Sequence, residues 1–119
     1  MWRGAILLAA ALLLSACSKG PESVATKFTT AGSKGHVAEA TELLDPQMKA
    51  TFGAKLPMAI AAAERKANAR GGLKSVESEK LSQDGDYATV SVISYYNDGS
   101  STRENARLRR VDGKWYISM

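Results

Sequence analysis

Three Asp-Gly pairs, Asp84-Gly85, Asp98-Gly99 and Asp112-Gly113, constrain the fold of this chain more than any other feature. Asp-Gly between strand-like runs is a strong hairpin signal, because both residues accept the positive φ that tight turns demand. The pairs divide residues 73–119 into four segments of strand-like composition, which predicts a four-stranded antiparallel meander. Tyr87–Tyr96 is rich in the β-branched and aromatic residues that strands favour. Trp115, Ile117 and Met119 alternate along the last segment. In the second segment Ala88, Val90 and Val92 share one face, whereas Ile93 and Tyr95 lie on the other. That change of phase implies either a bulge or a strand covered on both faces at one end. The first segment, Leu73–Leu81, alternates least well.

Before Gly71-Gly72 the pattern is helical. Pro21 suits the first position of a helix, where its missing N–H costs nothing. Val24, Phe28 and Ala31 recur at helical spacing up to Gly32-Ser33-Lys34-Gly35. A second helix is expected from His36 to Leu44, with Val37, Ala40 and Leu44 on one face, and Asp45-Pro46 interrupts it. An alanine-rich third helix is expected from Pro57 to about Arg70, stopped by Gly71-Gly72. Between them Thr51–Leu56 reads as an irregular, partly apolar lid or connection. Helices grouped before strands predict an α+β domain, with three N-terminal helices packed on a curved four-stranded antiparallel sheet.

The first sixteen residues have a different character. Arg3 precedes the apolar run Ala5–Leu14 and the small residues Ser15-Ala16, as in a secretory signal peptide. The run is too short to span a bilayer, which needs about 20 residues. Leu14-Ser15-Ala16-Cys17 resembles the lipobox of bacterial lipoproteins. The resemblance implies cleavage before Cys17, diacylation of its sulfur and acylation of the new amino terminus, a firm anchor because two chains already hold stably. Cys17 is the only cysteine and closes no internal disulfide. A catalytic thiol needs an oriented base, and the lone His36 is distant in sequence.

The expected organisation is therefore a signal peptide over 1–16, a lipidated cysteine and short tether over 17–20, and one domain over 21–119. By the same resemblance Ser18 favours the outer membrane, since aspartate at that position retains many lipoproteins in the inner one. The 16 basic and 12 acidic residues give a net charge of +4, enough for contact with acidic surfaces and no pointer to nucleic acid. No second apolar run follows, so the expected membrane partner is reached through the acyl chains alone.

Several segments carry a family resemblance: Ser23–Phe28, Ala38–Pro46, Gly71–Glu77, Asp84–Val92 and above all Leu108–Ile117. In these the chain resembles small bacterial lipoproteins of the nuclear-transport-factor-2-like superfamily, in a lumazine-binding-like branch catalogued as a domain of unknown function. The resemblance implies a cone in which a bent sheet wraps around the helices. It is nearly silent on function, because the matching residues are turns and core positions.

Three sets of residues are candidate sites. Tyr87, Tyr95 and Trp115 are candidates to line a pocket for a small apolar ligand, set against ordinary packing. Arg103, Arg107 and Arg109 share strand parity and are candidates to bind anionic headgroups or an acidic partner, set against a solvated face; Lys74 and Lys80 are candidates to extend them. Relatives in the superfamily that are isomerases or dehydratases use an aspartate or a His–Asp pair inside the cone. Here Asp84, Asp86, Asp98 and Asp112 fall in predicted turns, where Asp serves the backbone. No catalytic residue, metal ligand or cofactor is assigned. The expected role is a non-catalytic binding or scaffolding module on the periplasmic side of a bacterial membrane, with an envelope protein as possible partner. A carrier of a small apolar ligand, and an isomerase or hydratase, are the alternatives.

Overall fold

Pro21, in the first turn of the first helix, opens a chain of short helices that precedes every strand. The computed structural model describes residues 20–118, so the expected signal peptide, Cys17 and Met119 lie outside the described residues. The helices are α1 (Pro21–Ser33), α2 (Val37–Glu42), α3 (Pro46–Phe52) and α4 (Leu56–Ala69), with the 3-10 turn Gly53–Lys55 joining the last two. The strands are β1 (Leu73–Asp84), β2 (Tyr87–Tyr96), β3 (Ser101–Val111) and β4 (Lys114–Ser118). They form one antiparallel sheet in the order β1-β2-β3-β4. The α+β class and the curved four-stranded meander are as the sequence predicts.

The turns show why. Asp112 and Gly113 adopt φ of 52° and 79°, the paired positive angles of the turn that matches strand twist, and set Val111 opposite Lys114. At the first hairpin Gly85, with φ of 60°, takes the position that needs it, and Asp84 faces Tyr87.

The helical half is divided more finely than the sequence suggests. The second helix ends at Glu42 rather than Leu44. Leu44 instead forms a parallel bridge to Ile117, where Ile117 N–H donates to Leu43 C=O at 2.7 Å and Asp45 N–H donates to Ile117 C=O at 2.9 Å. Asp45-Pro46 both stops one helix and starts another. Pro46 occupies its first turn, and the Asp45 carboxylate accepts a hydrogen bond from Met48 N–H at 2.8 Å. The segment 51–56, expected to be irregular, is helical throughout, and α4 begins at Leu56 rather than Pro57.

Of the two expected causes of the phase change in β2, a bulge is absent from that strand, whereas cover on both faces toward its end is present, with Ser91 buried on the side opposite Val90 and Val92. Its register with β3 is unbroken, and the irregularities lie in β1, between Leu73 and Ser75 and between Lys80 and Ser82. Ala88, Val90, Val92, Ser94 and Tyr96 all point inward and are buried, while Ile93 and Tyr95 are half-buried on the outer face. β1, the least regular segment by sequence, is the longest strand and forms an edge of the sheet.

The inner face packs on α1. Ala25, Leu44, Val90, Leu108, Trp115 and Ile117 form the centre of the core, with Val24 and Phe28 against it. Each buried aliphatic side chain contributes about 2 kcal/mol. A Thr26 Oγ1–Ser78 Oγ hydrogen bond of 2.7 Å ties α1 to β1. A second cluster, Ala31, Ala40 and Ile60, joins the helices, with Phe28 and Leu56 packed against it. Here α1 and α4 run parallel. A Cβ on Gly32 would stand 3.4 Å from Ile60 Cδ1, and Gly35, just past the end of α1, lies against the carboxylate of Glu64, one turn further along α4.

Candidate functional site

Strand parity gives the outer face of the sheet a pattern in columns. On β1, Glu77, Glu79 and Asp84 lie opposite Ile93, Ser91 and Tyr87 of β2. Those same β2 residues lie opposite Arg103, Asn105 and Arg109 of β3, and Thr89 lies opposite Arg107. An acidic column and a basic column thus flank a neutral one. Strands are spaced about 4.8 Å apart, so the two charged columns run roughly 10 Å from each other. Among the described residues the ion pairs are His36–Glu39, Glu42–Lys49 and Asp86–Arg110. None of the six charges in the two columns takes part.

Tyr95 joins the columns. Hydrogen bonding to the Glu77 carboxylate raises its phenol above the ordinary range, helped by burial and by the Glu77 charge, and Arg103 opposes the shift. The neutral phenol is therefore the favoured form on this face.

The structure brings the three arginines together on one face, as their parity predicts. It does not bring together Tyr87, Tyr95 and Trp115. Tyr87 is 60% exposed and shares the outer face with Tyr95, whereas Trp115 is 9% exposed and belongs to the core on the inner face. The cause is register: Trp115 pairs with Arg110, which has the inward parity of Leu108. Lys80 also departs from the expected basic group. It pairs with Val90 of the inward set, and its Nζ donates to Gln83 Oε1 at 2.8 Å. Lys74 sits at the irregularity after Leu73.

Arg110 is the residue that sequence reasoning missed. Its guanidinium lies 5.0 Å from the Trp115 ring centroid, Nε donates to Asp86 Oδ1 at 2.9 Å, and a second nitrogen donates to Gly85 C=O at 3.3 Å. The two-residue turn at Asp112-Gly113 was the available signal, since it fixes Arg110 opposite Trp115.

The remaining ionisable groups have structural partners or face solvent. Asp45 is buried, and its carboxylate caps α3. His36 Nδ1 lies 3.4 Å from Glu39 on the surface, with both side chains more than half exposed. Asp98 accepts from Ser100 N–H at 2.8 Å and from Ser100 Oγ at 2.5 Å, and these bonds hold its carboxyl below the usual range. Among the described residues no three His, Cys, Asp or Glu side chains come together as metal ligands would. An open groove at the β4 edge is lined by Leu43, Leu44, Pro46, Lys49, Lys114 and Tyr116, among others.

Comparison with known proteins places this geometry. The family described as Domain of unknown function (DUF4878) matches residues 15–118. No curated protein matches the chain. Among solved structures, the chain is similar to a Campylobacter jejuni protein named "Putative NTF2-like transpeptidase", with 24% identity and a TM-score of 0.74 over 82% of this chain and 96% of that one. It is also similar to a SEC-C motif containing protein from Rhodopseudomonas palustris, with 18% identity and a TM-score of 0.54 over 86% of this chain and 77% of that one. At such identities these likenesses establish the fold alone: helices followed by a curved antiparallel sheet, as in NTF2-like proteins. The chain belongs to the DUF4878 family of domains of unknown function and has an NTF2-like fold.

Proposed function

We propose that this chain is a lipoprotein of the bacterial envelope, acylated on Cys17, whose domain acts as a non-catalytic binding module facing the periplasm. The observation that carries the binding role is the outer sheet face, where the unpaired columns Glu77–Glu79–Asp84 and Arg103–Arg107–Arg109 flank Tyr87, Ile93 and Tyr95. Their separation of roughly 10 Å slightly exceeds the screening length of about 8 Å at physiological ionic strength, so neither column cancels the other and each presents its own charge to a partner in contact. A uniformly anionic surface laid flat on this face would attract one column and repel the other. A protein with its own separated charges satisfies both, so an envelope protein is the favoured partner. The interior of the cone is occupied by Leu44, Leu108 and Trp115, which supports a surface role over a carrier role.

Crosslinking and pull-down of the native lipoprotein from membranes tests the reading. Arg103→Glu/Arg107→Glu is expected to remove a specific crosslinked partner that the wild-type chain captures. Capture of the same partner by both proteins counts against it. Anchoring has a separate test: Cys17→Ser is expected to leave unprocessed, unacylated precursor, and normal processing of that variant overturns it.

A further inference from the structure

The molecule has a second surface that the sheet face does not explain. From Pro46 to Ala63 the chain holds no acidic residue, and its charges are Lys49 and Lys55. This stretch forms the corner where α3 passes through the 3-10 turn into α4. Phe52 is 45% exposed and Met58 is 78% exposed, two of the four large apolar side chains that face solvent among the described residues. Ala54, Pro57 and Ala59 between and beside them are exposed as well. Lys49 pairs with Glu42 at 3.7 Å, and Lys55 takes part in none of the ion pairs among the described residues, so this apolar knuckle carries one uncompensated lysine, the composition of a surface that rests in the headgroup layer of an anionic bilayer.

The parallel packing of α1 and α4 says which way the knuckle points. Ile60 lies level with Gly32 and Glu64 level with Gly35, so the start of α4 lies level with the middle of α1 near Phe28. Pro21 lies seven residues before Phe28, about 10 Å along the axis at 1.5 Å per residue. Both helices therefore run in the same direction, and the knuckle faces the same way as the start of α1, set back from Pro21 by about 10 Å. Three peptide units separate Gly20 from Cys17, a reach of at most about 11 Å. An anchor so short keeps the start of α1 close to the lipid surface.

We infer that the Phe52–Met58 corner is a membrane-contacting surface, seated in anionic phospholipid headgroups with Lys49 and Lys55, and that it fixes the orientation of the domain on the bilayer. The inference rests on the anchoring reading above. Contact through the corner stands the domain on the starts of α1 and α4, and the C-terminal end of α4 with the Asn97–Ser100 turn beside it points away from the membrane.

The test uses the processed, acylated chain in vesicles of phosphatidylethanolamine and phosphatidylglycerol, with an environment-sensitive fluorophore on Met58→Cys or, as control, on Lys66→Cys in the last turn of the same helix. Both sites are exposed, so labelling leaves the core intact. The expected result is blue-shifted emission and several-fold greater quenching by spin-labelled lipid at position 58 than at 66. Lys49→Glu/Lys55→Glu, or replacement of phosphatidylglycerol by phosphatidylcholine, is expected to return the position 58 probe to water-like emission. Equal quenching at both sites in acylated protein overturns the inference and leaves anchoring intact. Shielding of position 58 in native membranes but not in lipid vesicles also overturns it, by showing that a protein covers the corner. An unacylated mass for the purified chain would instead remove the anchoring reading, and this orientation with it.

Discussion

Arg110 lies over the Trp115 ring at 5.0 Å while its Nε donates to Asp86 at 2.9 Å, so a single side chain closes one end of the core and pins the β1–β2 turn. Arg110→Ala uncovers Trp115 and frees the turn. The pair is partly solvated, so the combined cation–π and ion-pair contribution is about 1 kcal/mol. Trp115 is the sole tryptophan of residues 17–119, and its emission is expected to shift red in the variant. Arg110→Lys keeps the charge but loses the planar stack, and an intermediate shift is expected.

Asp45 carries two duties at one point in the chain. Its carboxylate caps α3 through Met48 N–H, and its own N–H donates to Ile117 C=O. Asp45→Ala removes the first and spares the second, at an expected cost of about 1 kcal/mol in chemical denaturation. Asp45→Asn retains an acceptor and is expected to be close to neutral.

Leu108 is 1% exposed and sits between Ala88 of β2 and Ile117 of β4. Leu108→Ala is expected to destabilise by about 2–5 kcal/mol, measured by denaturant midpoint at constant slope. Leu81→Ala, on a side chain 52% exposed at the β1 irregularity, is expected to change stability by less than about 0.5 kcal/mol.

Two surface groups give opposite responses to pH. The Asp98 carboxyl is held low in the folded state, first by the Ser100 hydroxyl and then by the Ser100 N–H. Its contribution is present above the unfolded carboxyl value, near pH 4, and is lost as pH falls through the lower folded value. The stability difference between wild type and Asp98→Ala is expected to vanish in acid. Tyr95 is raised, so its contribution is complete below about pH 10 and is lost as pH rises through the higher folded value. Ultraviolet titration of phenolate, with Tyr95→Phe identifying the signal, is expected to show that Glu77→Gln lowers this value.

The strands were easier to read than the helices for a physical reason. Turn chemistry at Gly85-Asp86 and Asp112-Gly113 is local, and a two-residue connection dictates register without knowledge of the rest of the molecule. Asp45-Pro46 is locally ambiguous, since the same dipeptide stops a helix and caps the next. What ends α2 is a tertiary event, the seating of Leu44 beside Ile117, and no local pattern announces it. The arginine column followed from parity within one strand. The separation of Trp115 from Tyr87 and Tyr95 needed parity carried across two turns. The acidic column opposite the arginines escaped notice because β1 alternates poorly and shifts register twice.

The bridge between Leu44 and Ile117 has a consequence for self-association. A four-stranded sheet offers two raw borders at which further chains can hydrogen-bond. Here the β4 border is sealed by the Leu43–Asp45 backbone, and the β1 border is bent by its irregularities and studded with Lys74, Glu77, Glu79 and Lys80. With one border closed at Ile117 and the other blunted, strand-to-strand pairing between copies of this chain is disfavoured at both edges of the sheet.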